Sequence, residues 1–306
     1  DKTGTLTQNK MTVEKIFYND KLIDIDENTE VAKSNELEKL VYASMLCNDT
    51  QISPDKELTG DPTETALVDL GFKLDFQPYI YEQMPRVAEI PFDSDRKLMT
   101  TVHKVNDSYI VYTKGAVDEL LKRCNSYIIN GEIRNDLKEY KANIDTINES
   151  LAKSALRVLA MAYKELDYKP SDEEVKQIEN DLIYIGMVGM IDPPRPEAKV
   201  AVEKCKTAGI KPVMITGDHK ITAIAIAKAL GILENENEAI SGAELENMSD
   251  EELAKNVRQY SVYARVSPEH KVRIVKAWQS NGEIVAMTGD GVNDAPALKT
   301  ADIGCA

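Results

Sequence analysis

With 306 residues the chain is too long for one compact core and is sized for two domains. Its 37 Lys and Arg against 52 Asp and Glu leave a formal charge of −15, which argues against nucleic acid or an anionic membrane surface as a main partner. Hydrophobic residues at 42% and charged residues at 29% suit a folded globular chain, and the longest apolar stretch, 182–191, is about half the roughly 20 residues a membrane span needs.

In chain order, helical patterns are predicted near 35–46 and over 62–70, the second entered through Asp61 and Pro62. Antiparallel strands are predicted at 87–91, 98–105 and 109–114, the last two joined near Asn106-Asp107. Asn130-Gly131 is a two-residue hairpin signal between 127–129 and 132–134, and a helix is expected over 137–156. The acidic stretch 171–181 reads as a solvated face or linker. From 184 onward the texture changes to strand–helix alternation. Strands are expected at 184–191, 212–216, 262–266, 283–288 and 302–305, with helices at 196–208, 221–230 and from Ser267 and Pro268 to 279. Alternation of this kind with nearly all-apolar strands means a doubly wound parallel sheet, whose active site lies beyond the strand carboxyl ends. The middle region is α+β without that rhythm.

Cys47, Cys124, Cys205 and Cys305 form no C-x-x-C pair, and His103, His219 and His270 form no H-x-x-x-H pair. Neither a disulfide framework nor a zinc site is indicated, and the cysteine usage fits a reducing compartment. The chain opens on Asp1 without a methionine, so the expectation is a piece of a longer protein.

Three polar turns follow strands or should: DKTGTLT at 1–7, Thr216-Gly217-Asp218, and TGDGVND at 288–294. A parallel sheet would bring them to one edge together with Lys271. That set suits phosphoryl transfer, with one carboxylate attacking phosphorus, others holding Mg²⁺, and Lys and Thr groups neutralising the equatorial oxygens. Taken singly, each T-G-D could be an ordinary turn in which Gly supplies positive φ. A dinucleotide fingerprint at Gly289-Asp290-Gly291 lacks its third glycine, since Asp294 stands there.

DKTGTLT resembles the phosphorylation signature of P-type cation-transporting ATPases, within the haloacid dehalogenase superfamily. TGDGVNDAPALK resembles their Mg²⁺-binding hinge signature, Asp192-Pro193-Pro194-Arg195 their DPPR segment, and Lys114-Gly115-Ala116 the KGA of their nucleotide-binding domain. Gly60-Asp61-Pro62-Thr63-Glu64 is similar to the type II branch, calcium-transporting pumps of bacteria above all.

The resemblance implies a haloacid-dehalogenase-like P domain from 1–20 and 185–306, with an α+β antiparallel-sheet N domain inserted at 21–184 and hinge links near 19–21 and 181–184. Asp1 would take the γ-phosphoryl of ATP as an acyl phosphate. Asp1, Asp290 and the Thr3 carbonyl would hold Mg²⁺, supported by Asp294 and Asn293. Lys2, Thr216, Gly217, Asp218 and Lys271 would complete the phosphoryl site. Thr3 stands where the superfamily's phosphatases carry a general-acid aspartate, which implies a long-lived phosphoenzyme.

The resemblance also assigns adenine stacking to Phe92, and nucleotide contacts to Glu64, Lys97, Lys114, Gly115, Arg157 and Arg195. Glu64 has capping-box spacing from Asp61 and could simply cap its helix; Phe92 could be core; Arg157 could answer a helix carboxyl end. Ser94 replaces an arginine common in the family, with Arg96 or Lys97 as its possible stand-ins. The implied partners are ATP, the protein's own actuator domain and its transmembrane helices, at the cytoplasmic face of a membrane. Because the family's first strand runs into the phosphorylated aspartate, the chain alone is expected to phosphorylate poorly. A soluble phosphohydrolase with a large cap and a non-catalytic ATP-binding module are the rival readings.

Overall fold

The computed structural model describes residues 2–26, 29–289 and 292–305. It divides into two compact units, one of residues 1–10 with 192–306 and the other of residues 11–191. The expected boundaries at 20/21 and 184/185 therefore shift to 10/11 and 191/192. The reason is pairing: residues 12–18 and 182–191 are neighbouring strands of one sheet.

The unit of residues 11–191 is built on strands β1 (Thr12–Tyr18), β2 (Lys21–Asp24), β3 (Gln51–Ile52), β4 (Leu58–Thr59), β5 (Arg86–Asp93), β6 (Leu98–Val105), β7 (Ser108–Gly115), β8 (Cys124–Ile129), β9 (Glu132–Arg134), β10 (Arg157–Leu166) and β11 (Leu182–Ile191). The main sheet runs β2-β1-β11-β10-β7-β6-β5, with β8 joining β11 and β9 joining β8; β3 and β4 form a separate hairpin. Every pairing is antiparallel except β11 with β8.

This corrects the expectation that 184–191 opens the parallel sheet. A central strand buried on both faces is apolar throughout whichever way its neighbours run, so its composition does not reveal the pairing. The links expected to act as hinges are otherwise employed: Asn19 and Asp20, at φ 50° and 56°, make the β1–β2 turn. Asn130 and Gly131, at φ 49° and 79°, turn the β8–β9 hairpin as their sequence implies.

Two helices cover one face of the sheet. Asn35–Leu46 is capped by Ser34, whose hydroxyl accepts from the Leu37 N–H. Pro62–Lys73 is capped by Asp61, which accepts from the Thr63 N–H at 2.8 Å. Leu40, Leu67 and Leu70 from these helices bury against Met99, Tyr112, Met161 and Val188 of the strands. On the opposite face Val102 and Val111 pack with Ile178. The stretch 171–181 is a solvated face rather than a linker: Val175, Ile178 and Glu179 are buried behind a Ser171 capping box, and its other residues are exposed.

In the other unit, β12 (Met214–Ile215), β13 (Ala239–Ser241) and β14 (Val262–Ala264) form a parallel sheet in the order β12-β14-β13, and β15 (Ala286–Thr288) pairs in parallel with β16 (Ile303–Cys305). The helices Pro196–Thr207, Lys220–Ala229 and Pro268–Ser280 alternate with these strands. Ile215, Ile240, Tyr263, Ile274 and Met287 share one core. Ser267 caps the helix Pro268–Ser280 as its sequence implies, and His270 closes the box. No helix of the described residues is long and apolar enough to cross a membrane.

Candidate functional site

In the unit of residues 11–191, alternation along β7 sends Ile110 and Tyr112 toward the covering helices. Lys114 continues that series, and its Nζ meets Glu64 Oε1 at 2.5 Å, with the two side chains only 7% and 16% exposed. Glu64 stands in the first turn of Pro62–Lys73, but its second oxygen accepts from the Asp49 N–H at 3.0 Å. No capping box forms, so the helix-cap reading of Glu64 does not hold. Arg157 opens β10 instead of closing a helix, and its Nη1 reaches Thr63 Oγ1 at 2.7 Å. Glu64, Lys114 and Arg157 thereby converge on one helix amino terminus, a position that favours negative charge.

Phe92 lies inside edge strand β5 and is 62% exposed, which removes its core reading. A register irregularity spans it: Ile90 pairs with Thr100 and Asp93 with Leu98, which brackets Met99, the partner of Lys114. Pro91 and Phe92 thus stand together opposite Met99, so the run from Phe92 through Met99 to Lys114 crosses three neighbouring strands. Lys97, exposed and at φ 54°, closes the β5–β6 turn, and its carbonyl accepts from the Ala116 N–H at 3.2 Å. Gly115 is demanded by that approach, since a Cβ would stand 2.2 Å from the Lys97 oxygen.

The sequence reading missed Asp49 and Arg86. Arg86 Nη1 donates to Asp49 at 2.7 Å and to Glu89 at 2.6 Å, and Nη2 donates to the Leu46 carbonyl at 3.2 Å. An Asn-Asp pair after a helix was the available turn signal, and Asn48 does bond the Thr50 N–H at 2.8 Å. Nearby His103 is 2% exposed, and its ring nitrogens lie 2.9 Å from the Met84 carbonyl and 2.9 Å from Thr101 Oγ1. Burial holds its pKa down to about 4, so it is a neutral structural group.

In the other unit, Asp1 and Asp290 lie outside the described residues. Lys2, buried, pairs with Asp218. The Thr216 hydroxyl accepts from the Asp218 N–H at 3.0 Å, and Thr216 is tied to β14 through the Tyr263 carbonyl and the Val266 N–H. Lys271 Nζ lies 2.5 Å from Asp294 Oδ1, the side chains 7% and 3% exposed. A Cβ on Gly289 would meet the Asp294 carboxyl carbon at 2.6 Å. Gly217 has no positive φ, and a Cβ there would meet no described atom within 4 Å, so the turn closed by the Thr216–Asp218 bond does not itself require glycine.

Thr3 and Asn293 are exposed. Arg195 is engaged locally: Nε donates to the Thr7 carbonyl at 3.0 Å and Nη2 to the Gly4 carbonyl at 2.9 Å, while Asp192 accepts from the Thr7 hydroxyl at 2.5 Å. This places Arg195 as a brace of residues 4–7 in a different compact unit from Phe92 and Lys114. Among the described residues no three His, Cys, Asp or Glu gather as a metal site.

A sequence profile described as P-type ATPase, cytoplasmic domain N, matches residues 36–197. The chain belongs to the P-type ATPase family. The matched residues hold most of the antiparallel sheet and its two covering helices, so the mixed α/β architecture of residues 11–191 fits this family's domain N. Over its full length the P-type ATPase chain is similar to calcium-transporting ATPase 1 of Bacillus cereus, at 51% identity over 308 residues, covering 100% of this chain and 34% of the relative. It is 46% identical over 308 residues to calcium-transporting ATPase 1 of Lactococcus lactis, again covering 100% of this chain and 34% of the relative. A calcium-transporting ATPase of Listeria monocytogenes is 46% identical over 311 residues, covering 100% of this chain and 35% of its own. This P-type ATPase chain thus spans about a third of the length of the curated relatives it matches.

Proposed function

We propose that this chain is the cytoplasmic catalytic part of a cation pump, calcium being the cation that its relatives' names suggest. Residues 11–191 would bind ATP as the N domain, and residues 1–10 with 192–306 would accept its γ-phosphoryl on Asp1 as a haloacid-dehalogenase-like P domain. The observation that carries this reading is the line from exposed Phe92 to the enclosed Lys114–Glu64 pair, ending at a helix amino terminus inside the region matched to domain N. An aromatic face offers stacking to adenine, and Lys114 and Arg157 offer charge to phosphates.

In the proposed transfer, an Asp1 carboxylate oxygen bonds to the γ-phosphorus as the bond to the β–γ bridging oxygen breaks, and ADP leaves with that electron pair. Lys271 and Thr216 would neutralise the equatorial oxygens. Gly217, where a Cβ would meet no described atom within 4 Å, would leave room for the phosphoryl group close to the backbone. The hard oxygen of buried Asp294 suits Mg²⁺, which Asp1, the Thr3 carbonyl, Asp290 and Asp294 would hold and which would supply charge neutralisation when bound. In the whole protein the phosphoenzyme would drive transport through its actuator and transmembrane parts.

The test is acid-stable incorporation of radiolabel from γ-labelled ATP with a form extended upstream of Asp1. Labelling that hydroxylamine releases and Asp1→Asn abolishes supports the reading. Steady release of inorganic phosphate from simple phosphate monoesters, without trapped label, supports a phosphohydrolase instead.

A further inference from the structure

Behind the Phe92 strand lies a group the nucleotide reading does not use. Glu179, 6% exposed, reaches the sheet from the docked segment that follows the helix Asp172–Val175. Its Oε1 accepts from Thr100 Oγ1 at 2.7 Å, and Thr100 Oγ1 lies 2.9 Å from Thr113 Oγ1, so the carboxylate is fixed to both β6 and β7. The same oxygen receives Arg96 Nη1, while Arg96 Nη2 donates to the Pro91 carbonyl at 2.6 Å. One guanidinium therefore bridges a buried carboxylate and the peptide unit that enters Phe92. The turn between them is fixed as well. Asp93 Oδ1 accepts the N–H groups of Asp95 at 3.0 Å and Arg96 at 2.9 Å, and the Lys97 N–H donates to the Asp93 carbonyl at 2.6 Å.

We infer that Glu179 and Arg96 are positioning residues that hold the β5–β6 turn, and so Phe92 and Lys97, in the geometry that receives the nucleobase. The inference rests on the nucleotide reading of residues 11–191. The physical reason is preorganisation: a large aromatic on an edge strand, exposed and beside a register irregularity, has few contacts of its own to fix it. Ordering it on binding would cost affinity unless the scaffold orders it beforehand. The planar fork offers the carboxylate and the carbonyl a separate nitrogen each in a fixed geometry, whereas a lysine ammonium at position 96 would keep the charge but hold the two less rigidly from one flexible point. Arg96 therefore does not stand in for the arginine that Ser94 replaces, because its guanidinium is committed to Pro91 and Glu179.

The test uses the intact chain and its Glu179→Gln, Arg96→Lys and Phe92→Ala variants, with ATP titrated by calorimetry and amide hydrogen exchange followed over residues 90–98 without ligand. The expected result is faster exchange in that segment for both Glu179→Gln and Arg96→Lys, with ATP dissociation constants raised about 3- to 10-fold. Protection of the remaining strands should be unchanged. Wild-type exchange in 90–98 with either variant overturns the positioning role, whatever ATP does. If exchange quickens in both variants while the wild-type chain binds no ATP, or binds it with no loss in Phe92→Ala, the turn contacts stand but their nucleotide role falls with the reading it rests on.

Discussion

Lys114 and Glu64 carry opposite demands in one ion pair. Removing Lys114 leaves a largely enclosed carboxylate without its cation, which costs about 1–3 kcal/mol of stability at this partial exposure. Lys114→Ala should therefore lower both stability and ATP affinity. Lys114→Met combined with Glu64→Gln should recover most of the stability while ATP affinity stays at least about tenfold down; urea unfolding and calorimetry separate the two. Gly115→Ala should cost about 1–3 kcal/mol, because its Cβ meets the Lys97 carbonyl and not a flexible side chain. His103 makes a pH argument. Its folded pKa of about 4 lies below the ordinary 6.5, so between those values the unfolded chain binds more protons and stability rises with pH. Lowering the pH from 7 toward 4 should remove on the order of 2–3 kcal/mol through this group. Unfolding followed through tyrosine dichroism at pH 7 and 5 should show a smaller loss in His103→Gln.

Among the elements, the helices and hairpins with explicit punctuation were legible. Asp61 and Ser267 cap where expected, and Asn130-Gly131 turns where expected. Strand β10 was not, because RVLAMAYKEL is rich in Ala, Leu and Met, good helix formers that become strand only when Ala160 and Ala162 are enclosed between β7 and β11. β1 and β2 were missed because TVEKIFYNDKLID alternates weakly and its turn residues reach positive φ without glycine. Within β11, Gly186 allows the closest approach of β1, a Cβ standing 2.2 Å from the Phe17 carbonyl. Gly186→Ala should weaken the β1–β11 pairing by about 2 kcal/mol or more, read as a lower urea midpoint with faster amide exchange in Thr12–Tyr18.

Across the whole chain, most of the candidate site was legible as motif and little of it as geometry. Lys114-Gly115-Ala116 and Glu64 could be singled out from their neighbours in sequence. Their contact depends on β7 running under the start of a helix 50 residues earlier, which no local pattern encodes. Asp49 had only an Asn-Asp turn signal and Arg86 none, and both became visible through that contact. Arg195 was legible as part of its motif, but its bonds to the Gly4 and Thr7 carbonyls were not. Since residues 11–191 enclose their own core, that unit alone should keep its far-ultraviolet dichroism and its ATP binding. The most direct measurement is a calorimetric titration of the intact chain with ATP, beside Phe92→Ala and Lys114→Ala variants whose folding is checked by dichroism. Saturable binding to the wild type, weakened about tenfold or more in each variant, is the expected result. Folded protein that binds no ATP up to about millimolar concentration, a free energy of roughly −4 kcal/mol, or equal binding by all three chains, would contradict a nucleotide site at Phe92 and Lys114.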